Sequence, residues 1–301
     1  MTDITTSIKT SDLSRRFGKT MALDGLSFSI KENQIVGLLG RNGAGKSTLL
    51  RILSGQLKQT SGDIELFGMP VYDNAQALSN LCMIGDTPDF GSIKNINQFL
   101  PVMAAMFPAW DSALADKLID RFDLPRKKAL KGFSRGMQTS LLLCVGLASG
   151  ARLTVFDEPS LGLDAVMRER FYDMLIEIRT LQPNRSFVLS THLIDEVTRT
   201  LDYAVMIDHG KLMCQGDMQE LTSGYISISG APDAVREAST GATVLKQEEV
   251  AGSLVLHLRL ASPGDKEKLM ANNSIQCASM NLQRLFVFLT EEEEVQHANN
   301  K

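Results

Sequence analysis

Gly40, Arg41, Asn42, Gly43, Ala44, Gly45, Lys46, Ser47 and Thr48 run consecutively, and their spacing fits the phosphate-binding pattern GxxxxGK[ST]. Glycines let successive backbone N–H groups curl around phosphate oxygens, and a following helix adds the positive end of its dipole. In such a loop Lys46 brings a point charge to the β- and γ-phosphates. The Ser47 hydroxyl sits where Mg²⁺ bridges the same phosphates, with water filling much of an octahedral shell. The chemistry indicated is binding of a nucleoside triphosphate with its magnesium ion.

A second pair of residues extends this chemistry to hydrolysis. Asp157 and Glu158 follow the apolar run from Leu153 to Phe156, which puts two carboxylates at the C-terminal end of a buried strand. That is the edge where open α/β sheets bind ligands. Asp157 suits the Mg²⁺ shell, and Glu158, beside the γ-phosphate, suits a general base that polarises the attacking water. Strand ends often carry acidic turn residues, so the pair takes its meaning from the phosphate loop in the same chain.

These residues need a strand, a turn and a helix in succession. Leu26–Ile30 and Ile35–Leu39 read as strands, and Leu49, Leu50, Ile52 and Leu53 recur at helical spacing. Further on come a strand at Leu153–Phe156, a helix near Arg168–Arg179 and a strand at Ser186–Ser190. Strands alternating with helices imply a largely parallel sheet covered on both faces. Between about 85 and 150 the spacing of Phe99, Val102, Met103, Met106, Leu114, Leu118, Ile119 and Phe122 is helical instead, as in a helical insertion. Two short strands then flank Asp208, His209 and Gly210, a turn signal, with a closing helix from Gly216 to Leu221. Past Gly224, a strand at Tyr225–Ser229, a helix at Asp233–Ala238, alternating Leu254, Leu256, Leu258 and Leu260, and a last helix with Leu282, Leu285, Phe286 and Leu289 predict a small α+β domain over 225–290. The run Glu291–Glu294 and the polar end to Lys301 read as a solvated tail.

The segment Phe133, Ser134, Arg135, Gly136, Met137, Gln138 resembles the LSGGQ signature of the nucleotide-binding subunits of ATP-binding cassette (ABC) transporters, in an FS[KR]GM variant. Together with the motifs above, the resemblance covers about Ile4 to Gly224. It implies a P-loop NTPase of the ABC ATPase type: a mostly parallel α/β core, an antiparallel β subdomain and a helical subdomain at about 87–150 within residues 1–224. It also implies ATP and Mg²⁺ as ligands, with Ser134, Arg135, Gly136 and Met137 facing the phosphate loop of an opposite subunit. Ser160–Asp164 is similar to the family's D-loop, although Asp164 also fits a plain helix N-cap. His192, after Ser190 and Thr191, is similar to the switch histidine that touches the γ-phosphate. Phe17 lies where the family stacks an aromatic on adenine; a core phenylalanine is the alternative. Asp86 stands where most members have a glutamine that ligates Mg²⁺, and a simple turn residue is the other reading.

Composition sets the remaining bounds. With 31 Lys and Arg, 35 Asp and Glu and a formal charge of −4, a polybasic nucleic-acid binder is disfavoured. The four cysteines are scattered, which favours reduced thiols, and the N-terminus shows no secretory pattern. The longest dense apolar stretch, Leu141–Ala148, is far short of the ~20 residues that cross a bilayer. The expectation is a cytoplasmic ATPase, peripheral on the inner face of the membrane, that drives an exporter through a separate integral-membrane permease. Two such subunits, alike or different, pair around ATP. Met83, Met103 and Met106 form either an adaptable seat for that permease or plain core. The alternative from another class is a soluble ATP switch in translation or DNA repair. The tandem cassettes or long coiled coils expected of that class are absent from the sequence.

Overall fold

The computed structural model describes residues 6–85, 90–250 and 252–299. The chain divides into two compact units, one running to Leu193 and taking in Thr200–Leu212, the other comprising Ile194–Arg199 and the residues from Met213 onward.

In the first unit, β1 (Thr6–Phe17) and β2 (Thr20–Lys31) form an antiparallel hairpin about Gly18 and Lys19. The phosphate loop lies between β3 (Ile35–Leu39), which is buried throughout, and α1 (Lys46–Leu53), which buries Leu49, Leu50, Ile52 and Leu53. Next come β4 (Ser61–Leu66), β5 (Met69–Pro70), α2 (Ala75–Leu78) and β6 (Leu81–Ile84). The expected helical insertion is present as α3 (Ile96–Met106), α4 (Ser112–Arg121) and α5 (Arg135–Ala148). Asn95 and Asp111 cap the first two through side-chain oxygens that accept from Gln98 and Leu114 N–H. The core resumes with β7 (Leu153–Asp157), α6 (Ala165–Leu181), β8 (Ser186–Thr191), α7 (Ile194–Val197), β9 (Tyr203–Asp208) and β10 (Lys211–Asp217). Of these, α7 and the end of β10 fall in the second unit.

Two sheets result. One is antiparallel in the order β2-β1-β4-β5; the other has the order β10-β9-β3-β8-β7-β6, with β9, β3, β8, β7 and β6 parallel. The parallel registers decide where the chemistry sits. Leu39, just before the phosphate loop, pairs with Thr191, and Asp157 pairs with Ser190. The phosphate loop, both carboxylates and the Ser190–His192 segment therefore leave the sheet at its C-terminal edge.

Arg185 secures this arrangement from the opposite end. Its buried guanidinium donates to the carbonyls of Gly146, Leu147 and Ala151, so the last turn of α5 is tied to the start of β8. Burial pushes its pKa down to about 10. Phe156 packs edge-on against Phe171 at 5.2 Å, holding β7 against α6.

The second unit continues with α8 (Met218–Ser223), β11 (Tyr225–Gly230), α9 (Pro232–Ala238), β12 (Thr243–Val250), β13 (Ser253–Arg259), α10 (Pro263–Met270), β14 (Ile275–Ser279) and α11 (Leu282–Asn299). Its antiparallel sheet has the order β12-β13-β11-β14. Leu254, Leu256 and Leu258 pack with Ile226, Ile228 and Val235 in its core. The acidic run read as a tail continues α11 instead, and Glu291 pairs with Lys246 at 3.0 Å. Glutamate is a good helix former, so a helix anchored by Leu282, Leu285 and Leu289 propagates through it.

Candidate functional site

The loop Gly40–Gly45 is braced from two sides. Gly210 N–H donates to the Ala44 carbonyl at 3.0 Å, and Asp24 N–H donates to the Gly210 carbonyl at 2.9 Å. Gly45 opens α1 at φ +104°, and a Cβ there would lie 2.7 Å from the Ala22 carbonyl oxygen, so no other residue fits. Arg41, Asn42, Gly43 and Ser47 are exposed, Thr48 is half-buried, and Gly40 and Ala44 are buried. Lys46 is also buried, and its Nζ donates to the Gly40 carbonyl at 2.7 Å and the Arg41 carbonyl at 3.3 Å. Burial lowers its pKa, opposed by the charges of Glu158 and Asp157. A phosphate entering the loop offers this ammonium a charged partner in place of two neutral carbonyls.

Glu158 faces it. Its Oε1 lies 3.8 Å from Lys46 Nζ, Thr191 Oγ1 donates to its Oε2 at 3.1 Å, and His192 Nδ1 lies 2.9 and 3.0 Å from its two oxygens. An ionised carboxylate only accepts, so Nδ1 carries the proton in this contact. The backbone of Glu158 is left-handed, with φ +49°, and its N–H donates to the Ser190 carbonyl at 2.8 Å. Such a conformation is sparsely populated for residues other than glycine; here it turns the chain off the strand immediately after Asp157. Asp157 accepts from Ser190 Oγ at 2.7 Å. Sequence reasoning brings Lys46, Asp157, Glu158 and His192 into this group but gives no role to the hydroxyls of Ser190 and Thr191. Their only signal is adjacency to His192 at a strand end.

The segment Ser134–Met137 opens α5. Ser134 is its N-cap, accepting from Met137 N–H at 3.3 Å, and Arg135 is its first residue. Gly136 lies under the backbone of Gly162, whose carbonyl oxygen would stand 2.7 Å from a Cβ. Thr139 Oγ1 donates to the Leu161 carbonyl at 3.2 Å. The Ser160–Asp164 loop is thus seated on the first turns of α5, and both line a cavity with Asp157 and Glu158. Asp164 is the N-cap of α6, accepting from Met167 N–H at 2.9 Å. Phe17 ends β1 and is 42% exposed, which removes the core alternative; the Arg15 guanidinium covers its ring at 4.6 Å. Asp86 lies outside the described residues.

The donor set suits magnesium. Asp157 and Ser47 offer hard oxygens, and among the described residues no group of three or more His, Cys, Asp or Glu could hold a metal by itself. Two hard oxygen donors suit an ion whose other ligands would be phosphate and water. The cysteines are free; Cys82 and Cys144 are buried, and burial pushes the Cys82 thiol up to about 11.

Comparison with known proteins follows the same lines. Residues 23–161 match the family model described as ABC transporter. The chain is 32% identical over 213 residues to the bacitracin transport ATP-binding protein BcrA of Bacillus licheniformis, covering 70% of this chain and 69% of that protein. It is 29% identical over 222 residues to the Nod factor export ATP-binding protein I of Ralstonia nicotianae, covering 71% and 68%. A solved structure of an ATP-binding subunit of an ABC transporter shares the fold with a TM-score of 0.64 at 23% identity, covering 71% of this chain and 91% of that one.

Proposed function

The chain belongs to the ATP-binding subunits of ABC transporters, and on that premise we propose that it drives export through a separate membrane-spanning permease by ATP-dependent closure of paired subunits. It binds ATP and hydrolyses it to ADP and phosphate. The triphosphate lies in Gly40–Thr48 with Lys46 on the β- and γ-phosphates, and adenine stacks on Phe17. Ser47 and Asp157 would hold Mg²⁺, which would neutralise charge on the phosphates. Ser134–Met137 and the Asp164 loop of a second subunit close over the nucleotide, so opening follows its cleavage. Every element of one composite site occurs on this chain, so a homodimer holds two complete sites and a heterodimer is not required.

The observation that carries the reading is Glu158, held by His192 and Thr191 within 3.8 Å of Lys46. A base in that position takes a proton from water attacking the γ-phosphate, and His192 orients water and carboxylate together. No helix of the described residues is long and apolar enough to cross a membrane. The permease supplies the membrane path, and α3 offers it a surface, with Val102 40% and Met106 64% exposed. These two residues favour the docking role over plain core, whereas Met83 packs against the core. The export direction is supported by the name of the Nod factor relative. The soluble-switch alternative is not favoured, since both relatives are named for transport or export.

Glu158→Gln tests the mechanism. ATP binding should persist while turnover falls by roughly 10²–10⁴, the usual contribution of a general base. With ATP the variant should elute from a sizing column as a dimer. Hydrolysis at the parental rate would remove Glu158 from the role of base.

A further inference from the structure

We infer that Thr191 is a positioning residue for hydrolysis: its buried hydroxyl is locked as a donor to Glu158 and holds that carboxylate aimed at the attacking water. This rests on reading Glu158 as the base. The lock follows from the contacts of one oxygen. Leu193 N–H donates to Thr191 Oγ1 at 3.0 Å, which occupies a lone pair. Glu158 Oε2, 3.1 Å away, has no proton to give when ionised, so the hydroxyl proton points to it. Thr191 is 1% exposed, so water does not compete for that proton.

The position in the sheet makes the contact rigid. Thr191 is the last residue of β8 and pairs with Leu39, which precedes the phosphate loop, while Glu158 N–H is bonded to the carbonyl of Ser190. Main chain and side chain of Glu158 are therefore both fastened to the end of one strand. His192, by contrast, bonds the same carboxylate from a half-exposed position. Of the two donors, Thr191 is the one shielded from water.

One consequence separates this role from simple packing. A misaimed base lowers turnover and leaves nucleotide affinity alone. Thr191→Val keeps the shape and removes the hydroxyl. The purified full chain should show kcat for ATP reduced about tenfold or more, a part of the roughly 10²–10⁴ that a general base supplies. KM should stay within about twofold. Thr191→Ser should restore kcat. If Thr191→Val does not fold, Thr191→Ala is read in the same way. A parental kcat in the valine or alanine variant, with Glu158→Gln inactive, overturns the inference and spares the assignment of the base. Full activity of Glu158→Gln overturns that assignment instead. Loss of kcat with KM raised in proportion, or with no rescue by serine, reduces Thr191 to packing.

Discussion

On the proposed function, Ser134 serves the local fold and a distant site at once. Its oxygen accepts from Met137 N–H as the N-cap of α5, which leaves the hydroxyl proton free to donate to a γ-phosphate brought by a second subunit. Aspartate caps a helix as well as serine does but has no proton to give and carries a negative charge. Ser134→Asp should therefore melt where the parent does, while ATP-driven dimerisation in the Glu158→Gln background disappears from the sizing column. Dimer formation at the parental ATP concentration would show that Ser134 is only a cap. At this scale the sequence is legible where a residue type is rare in its pattern. Lys46 after three glycines, and two carboxylates ending an apolar strand, announce their chemistry. Thr191 does not, because hydroxyls are common in strands and its partner is 33 positions away, just past the end of β7.

Elements with uninterrupted periodicity are legible too, and those that break it are not. β3, β7 and β8 are apolar runs bounded by turns, and α1, α4 and α6 carry clear stripes. β1 is hidden because its register shifts between Thr10 and Leu13, and again before Arg15, so strict alternation never lasts. β12 is an edge strand whose exposed charges mask it. The second unit also hides a titratable core. His257 on β13 is fully buried; Arg284 of α11 lies 3.2 Å from Nε2, Ser227 Oγ of β11 lies 2.7 Å from Nδ1, and Glu248 of β12 lies 3.8 Å from Nε2. A guanidinium only donates, so Nε2 must accept and Nδ1–H faces Ser227. Burial, then the Arg284 charge, lower the His257 pKa, with Glu248 opposing. The unfolded chain therefore takes up this proton first as pH falls. The stability that neutral His257 contributes is complete above its ordinary value of about 6.5 and is lost as pH drops through it. The melting temperature of the parent should fall as pH drops below that value, and His257→Gln, although less stable at neutral pH, should lose that part of the slope. An unchanged slope would assign the acid sensitivity to other groups.

For the whole molecule, the chain shows how it uses ATP more plainly than what it serves. Nucleotide chemistry depends on short motifs at one sheet edge, whereas attachment to a permease depends on surface shape, which composition does not encode. The formal charge of −4 and the acidic stretch of α11 exclude little. What the surface does show is the outward face of α3: Ile96 and Phe99 are buried, while Val102 and Met106, four positions apart and so on one side of the helix, are exposed. Burying two such side chains against a partner contributes about 1.5–3 kcal/mol each. Replacing both by acidic residues, Val102→Asp with Met106→Glu, removes that contribution and adds charges that must be desolvated. Co-expressed with an integral-membrane permease that retains the parent and purified in detergent, the double variant should be retained at least tenfold less than the parent. Its hydrolysis of ATP without the permease should remain at the parental rate, because neither residue touches the phosphate loop, Glu158 or the signature segment. Undiminished retention would move the docking surface away from α3, and a matching loss of intrinsic hydrolysis would mean that the substitutions disturb the helical subdomain rather than its contact.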